Sequence, residues 1–248
     1  MKRKLWSEVA IVLGLSLGAS AVYSIVALLA DLSSGKPLAD QSTALNTSQS
    51  PVQWLDFTYQ VLGVFFDLFP VALAIYLLWE PGRSGFERIG LTWRRPARDL
   101  GAGLLLAACI GVPGLGFYAL GRLLGITVSV QASPVDSHWW TVPVLVLSAL
   151  RAALQEEVIV VGYIFDRLRL LDWGKWPMII ASAVLRGSYH LYQGIGPFFG
   201  NAVMGVVFGW VYARWGRTAP LVVAHTVLDI VSFVGYPLAV ALWPGVFK

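Results

Sequence analysis

The sequence predicts an all-α fold, a polytopic transmembrane helix bundle of about seven spans with a cytoplasmic N-terminus, and three observations carry that expectation. The first is composition: of 248 residues 57% are hydrophobic and only 13% charged, against about a quarter charged in soluble domains. A mean hydropathy of +0.68 points the same way. The second is the length of the apolar runs, and the third is where the basic residues fall between them.

Crossing the hydrocarbon core as a helix takes about 20 apolar residues. Seven runs fit, at approximately 8–30, 54–79, 100–123, 139–165, 177–193, 197–213 and 218–243. The first begins after Lys2, Arg3 and Lys4 and contains Ala19-Ser20-Ala21, the outline of a cleavable signal peptide. Its apolar stretch continues through Ala30, longer than a signal core, so it reads as a retained anchor. Residues 1–138 then hold N-terminal transmembrane helices and connectors, and residues 139–243 a core that carries most of the intramembrane polar groups, all within one integral membrane domain.

With the N-terminus inside, the cytoplasmic connectors contain Arg83, Arg88, Arg94, Arg95, Arg98, Arg167, Arg169, Lys175, Arg214 and Arg217. The outer segments hold Lys36 and Lys248, with Arg122 at a helix end where it can snorkel outward. The positive-inside rule therefore places the N-terminus in the cytoplasm and Lys248 outside, in a multi-pass protein of the plasma (inner) membrane. The net charge of +4 is spread over these connectors rather than along one face, which argues against nucleic acid and leaves the lipid bilayer as the first partner. The single cysteine, Cys109, lies in an apolar run and reads as a buried small hydrophobe.

Connectors and packing signals complete the chain. Asp31 to Gln53 is rich in Ser, Thr, Asn and Gln and reads as an exposed loop. Glu80 to Asp99 mixes Arg with Phe86, Ile89, Leu91 and Trp93, as an amphipathic segment in the headgroup layer would. Gly205, Gly209 and Ala213 fall at four-residue spacing and predict a close helix approach within the bundle.

An ionisable group inside a bilayer costs a few kcal/mol or more, so each one calls for a partner or a task. Here the fourth run carries Arg151, Gln155, Glu156 and Glu157, the fifth Arg186 and His190, and the seventh His225 and Asp229. At a rise of 1.5 Å per residue, the glutamates sit roughly 13 Å from the cytoplasmic end, Arg186 roughly 14 Å, His190 roughly 20 Å, His225 roughly 11 Å and Asp229 roughly 16 Å. The depths match well enough for the side chains to meet. Arg186 with His190, and His225 with Asp229, are four apart and share a face, whereas Glu156 and Glu157 diverge by about 100° in an α-helix, so at most one can face a common partner squarely.

Two carboxylates and two imidazoles in a partly dry cavity suit hydrolysis, a carboxylate taking a proton from water while imidazoles stabilise an oxyanion. The same groups could instead hold a divalent metal such as zinc through Glu156, His190 and His225, although the spacing is not the HExxH of zinc proteases. No organic cofactor is implied. A buried polar network or a proton path is the plainer reading for any one of these residues; their matched depth is what favours catalysis.

These residues resemble the CPBP family of CAAX proteases, bacteriocin-processing enzymes and Abi self-immunity proteins, whose motifs are EExxxR, FxxxH and HxxxN or HxxxD. The chain offers Glu156-Glu157-Val158-Ile159-Val160-Val161-Gly162-Tyr163, then Arg186-Gly187-Ser188-Tyr189-His190, then His225-Thr226-Val227-Leu228-Asp229, in the right order across about residues 139–243. The resemblance implies an intramembrane endopeptidase acting on a membrane-associated peptide or protein, or else a non-catalytic scaffold or immunity protein binding a peptide or lipid in the same pocket. It implies that Glu156 activates water with Glu157 in support, that His190 and His225 bind the water or polarise the carbonyl, and that Asp229 orients or stabilises the oxyanion. Two positions depart from the pattern: Val161 stands where the family has arginine, and Arg186 where it has phenylalanine. We read the two as one exchange, with Arg186 reaching the glutamates from the neighbouring helix. Outside the motifs, Asp67 reads as an ion-pair partner of Arg186 or Arg151 or as a cavity-lining group, Arg151 as a partner of Gln155 or a residue that snorkels to the outer face, His138 as an interfacial residue, and Tyr189, Tyr192, Gln193 and Asn201 as packing, interfacial or pocket-lining groups.

Overall fold

The computed structural model describes residues 2–131 and 138–238 and is almost wholly helical. Helices α1 (Lys2–Gly14) and α2 (Leu17–Ser33) are followed by a loop holding the short strand β1 (Ser42–Ala44), then α3 (Gln53–Asp67), α4 (Phe69–Leu77), the single turn α5 (Gly85–Arg88) and α6 (Pro96–Leu123). Strand β2 (Ser129–Gln131) pairs in parallel with β1. Helix α7 (Thr141–Leu154) passes without a break into a π-helix, Gln155–Tyr163, and on into α8 (Ile164–Leu170). Helices α9 (Lys175–Ser188), α10 (Ile195–Trp215) and α11 (Ala219–Ile230) complete the bundle, with a π-turn at Val231–Gly235.

Four helical segments among the described residues are long and apolar enough to cross a membrane: Gln53–Leu77, Pro96–Leu123, Ile195–Trp215 and Ala219–Leu238. Their outward faces carry large apolar side chains such as Phe65, Phe66, Leu105, Val112 and Val203, the exposure expected where lipid rather than water is the neighbour. The chain is a membrane protein. The first apolar run differs from a single straight anchor, because α1 and α2 are bent by 57° to one another, and counted as one span they make five. Ser16 marks the bend; its hydroxyl donates back to Val12 O at 2.6 Å, a bond that competes with the helix ladder. The last run extends past Leu238, so its end and Lys248 lie outside the described residues.

One end of the bundle gathers the basic connectors, and many of these residues are tied down. Arg167 is buried, donating to Glu8 Oε1 at 2.6 Å and Asp166 Oδ2 at 2.7 Å and to Leu77 O, while Tyr163 also donates to Glu8 at 2.9 Å. Arg88 bridges Asp166 and Glu80, and Arg217 grips Asp99 and Thr92 O. The Arg88 guanidinium holds the exposed Glu80 carboxyl below its ordinary range. The connector before α6 is more deeply seated than an amphipathic surface segment would be: Phe86 and Trp93 are exposed, but Ile89 is fully buried, with a methyl 3.0 Å from where a Cβ on Gly162 would stand. Cys109 is exposed on α6 rather than buried, because that helix turns most of its surface away from the protein.

The opposite end is capped by the β1–β2 pair. Arg122 donates to Ala39 O at 2.9 Å and Thr127 O at 2.8 Å, and Val128 N bonds Gln193 O at 3.1 Å. Inside the bundle the small face of α10 allows a tight approach to α9: a Cβ on Gly205 would stand 2.8 Å from Ala183 Cα and 3.3 Å from Arg186 Cδ.

Candidate active site

The π-helix sets the geometry of the glutamates. Its i→i+5 bonding, seen where Ile164 N reaches Ile159 O, puts more residues in each turn than an α-helix does, which narrows the angle between consecutive side chains. Glu156 and Glu157 can therefore meet a common partner, where an α-helical reading allowed only one to do so. Ser182 of α9 supports this stretch by donating to Val160 O at 2.9 Å.

That partner is Arg186. Its guanidinium is fully buried and donates from Nη1 to Glu156 Oε2 at 3.0 Å and from Nη2 to Glu157 Oε1 at 2.6 Å. The side chain is held on its apolar flank by the Phe208 ring, 5.4 Å from Cζ. A cation thus reaches the pair from α9 while Val161, fully buried in the π-helix, contributes only packing. A planar fork suits this task, because two carboxylates are contacted by two separate N–H groups.

His225 approaches from α11, its Nδ1 2.7 Å from Glu157 Oε1 and its Nε2 4.0 Å from Glu156 Oε2. Asp229, one turn on, has Oδ2 3.6 Å from His225 Nε2. His190 is placed differently from the sequence expectation: α9 ends at Ser188, so His190 sits in the turn beyond it and not one helical turn above Arg186. That turn runs into Gly194 at φ 104°, a left-handed conformation that glycine adopts without steric cost. His190 Nε2 is 3.9 Å from Glu156 Oε1, and neither ring nitrogen has a hydrogen-bond partner. The second oxygen of Glu157, Oε2, is likewise buried without one.

Tyr189 gave no catalytic signal in the sequence, yet it completes the cluster. Its hydroxyl donates to Glu156 Oε2 at 2.7 Å, and its backbone carbonyl accepts from Ser24 of α2 at 2.9 Å. The only pointer in the sequence was its place between Arg186 and His190. Arg151 and Asp67 lie apart from the glutamates: Arg151 Nη1 donates to Gln155 Oε1 at 3.0 Å and is 3.5 Å from Asp67 Oδ2, so Asp67 pairs with Arg151 and not with Arg186. His138 stacks on Trp140, with ring centroids 5.4 Å apart.

Glu156, Glu157 and His225 each offer a ligand atom within 4.8 Å of the others, a group that could hold a metal ion. Glu157 takes the place that the sequence expectation gave to His190. The donor set, however, already has a cation: Arg186 contacts both carboxylates, and a divalent ion between them would have to share their charge with a buried guanidinium. The metal set does not fit this arrangement unless Arg186 moves.

Fold and site together define a helical membrane protein with a buried, charge-compensated centre of two glutamates, an arginine and two histidines. Residues 138–231 match the family model described as type II CAAX prenyl endopeptidase Rce1-like, a likeness that supports the CPBP/CAAX protease resemblance of the three motifs. No curated protein and no solved structure matches the chain.

Proposed function

We propose that the chain is an intramembrane endopeptidase that hydrolyses a peptide bond in a membrane-associated substrate, with residues 139–243 as its catalytic core. The observation that carries this reading is the pairing of a buried, Arg186-bridged glutamate pair with an unpartnered imidazole, His190, 3.9 Å from Glu156 Oε1. A water at hydrogen-bond distance from both, about 2.8 Å, would sit about 2 Å to one side of the line joining them. Arg186 lies against the Glu156 carboxylate as a counter-ion, and Glu156 can take the proton of that water as it attacks the scissile carbonyl. His190 and His225 then steady the water and the developing oxyanion, and Asp229 orients His225. Tyr189 and Glu157 are positioning groups that fix the Glu156 carboxylate and the His225 ring.

The chemistry needs no metal, since charge compensation comes from Arg186. If an ion were held, Glu156, Glu157 and His225 would be its ligands, and it would supply Lewis-acid polarisation of the carbonyl. The matched family's description names a CAAX prenyl endopeptidase, which supports a peptide bond as the bond cleaved. We further propose seven crossings with a cytoplasmic N-terminus in the plasma (inner) membrane, a reading supported by the basic connectors lying together at one end of the bundle.

The non-catalytic alternative, a scaffold or immunity protein binding a peptide or lipid, has one observation in its favour: Arg186 and Tyr189 already occupy Glu156 Oε2. Purified protein in lipid, incubated with membrane-anchored peptides and followed by mass spectrometry, separates the two. A defined new C-terminus supports the peptidase; binding without any cleavage supports the scaffold.

A further inference from the structure

Helix α2 lies outside residues 139–243, yet the face it turns to the protein meets the turn that carries His190. Its buried residues are Leu17, Ala21 and Ser24, spaced i, i+4 and i+7 and so on one stripe. Leu17 and Ala21 form with Val160 and Tyr189 a small apolar cluster apart from the main core, and Leu185 packs against it. Val22, Tyr23, Val26 and Leu29 of the same helix are exposed, as lipid-facing side chains are.

Ser24 makes the polar contact of this face, at the point where a helix stops. In a helix continuing past Ser188 the Tyr189 carbonyl would accept from Gln193 N, four residues on. Instead Gln193 N bonds His190 O at 3.0 Å, and the Ser24 hydroxyl donates to Tyr189 O at 2.9 Å. The last carbonyls of a helix need partners from outside it, and a buried one left without a partner costs about as much as a lost hydrogen bond. Ser24 therefore stands in for a helical bond where the chain leaves α9 and places His190 Nε2 3.9 Å from Glu156 Oε1. The far end of the turn is tied separately, Val128 N to Gln193 O at 3.1 Å and Gly196 N to Ile126 O at 3.0 Å. Tyr189 is thus held at both its ends, the carbonyl by α2 and the hydroxyl on Glu156 Oε2 at 2.7 Å.

We propose that Ser24 is a positioning residue for the reaction: by holding the Tyr189 carbonyl from α2, it fixes both the Tyr189 hydroxyl against Glu156 and the His190 ring beside that carboxylate. Without the Ser24 hydroxyl the turn can satisfy Tyr189 O by rewinding toward Gln193 N, and His190 moves with it. Ser24 acts through Tyr189 and His190 and not on the water or the scissile bond. Its effect on cleavage rests on the peptidase reading, but its hold on the turn can be measured without cleavage.

The test uses the full chain in nanodiscs with carbon-13-labelled histidine. The chain has three histidines, His138, His190 and His225, so the ring signals can be assigned by substituting each in turn. Ser24→Ala should move or broaden the His190 signal, while that of His138, stacked on Trp140, stays in place. On a membrane-anchored peptide that the wild type cuts, the same variant should lose about ten- to a hundredfold in kcat, the effect of a misplaced catalytic group, with KM within about twofold. Ser24→Thr, which keeps the hydroxyl, should return both the signal and kcat. An unmoved His190 signal in a folded Ser24→Ala protein overturns the proposal. So does an unchanged kcat, or a loss that threonine does not reverse, since packing alone would then explain the contact. Should Ser24→Ala fail to fold, Ser24→Cys decides by the same signal and rate, because a thiol is close in size and only a weak donor. A wild type that cuts none of the peptides defeats the peptidase reading, and the His190 signal alone then decides whether Ser24 holds the turn.

Discussion

Replacing Arg186 by alanine should be the most damaging single change in the bundle. The guanidinium is fully buried and bridges both glutamates, at 3.0 and 2.6 Å. Without it Glu156 keeps the Tyr189 hydroxyl and Glu157 keeps His225, but two adjacent carboxylates lose the cation that offsets their repulsion. Removing one partner of a buried ion pair typically costs about 3–5 kcal/mol. That is a large part of the roughly 5–15 kcal/mol that holds a folded domain together. The alternative to unfolding is protonation of one glutamate, which removes the base. SDS titration in mixed micelles should therefore show a loss of about 3 kcal/mol or more, with no cleavage by the folded fraction. Arg186→Lys should recover only part, because a point charge cannot satisfy two carboxylates as the fork does. Val161→Arg alone buries a second cation beside the first and should also destabilise. The double change Val161→Arg with Arg186→Phe should be better than the sum of the singles by about 1 kcal/mol or more. Additivity within about 0.5 kcal/mol, or an Arg186→Ala protein of near wild-type stability and activity, would refute the idea that one cation serves one site.

Other outcomes follow from individual contacts. Tyr189→Phe removes a 2.7 Å hydrogen bond to Glu156 and nothing else polar, so cleavage should fall about tenfold while the fold persists; an unchanged rate would leave Tyr189 as packing alone. Chelators should leave the rate within about twofold if Arg186 supplies the charge compensation, and full loss restored by zinc would instead give the site to a metal. Cysteines introduced at Ser48 and Arg95 should label from opposite sides of the membrane, and same-side labelling would overturn the proposed topology.

The helical membrane architecture was legible because burial in lipid demands long apolar runs, and lipid does not disguise them. The ionisable residues of the centre were legible for the related reason that charge at that depth needs a partner. Local geometry was not. Nothing in Gln155–Tyr163 distinguishes a π-helix from an α-helix, so the sequence predicts that Glu156 and Glu157 diverge, although the reach of Arg186 to the glutamates from the neighbouring helix is legible in its exchange with Val161. The sequence predicts His190 one turn along the helix of Arg186, whereas that helix ends at Ser188, because the Gly194 turn and the Ser24 contact are tertiary. The positions of Arg167 and Arg217 predict topology alone; the sequence carries no sign that Glu8 and Asp99, distant along the chain, pair with them.

The measurement that bears most directly on the catalytic assignment is the single-turnover cleavage rate of Glu156→Gln beside wild type, on any membrane-anchored peptide the protein cuts. Glutamine keeps the shape and can still accept from Arg186 and Tyr189, but it cannot take a proton from water. With folding verified by SDS titration, the expected result is a rate lower by about 10²–10⁴-fold, the usual contribution of a general base. A Glu156→Gln protein that cleaves at the wild-type rate would contradict the role given to this carboxylate.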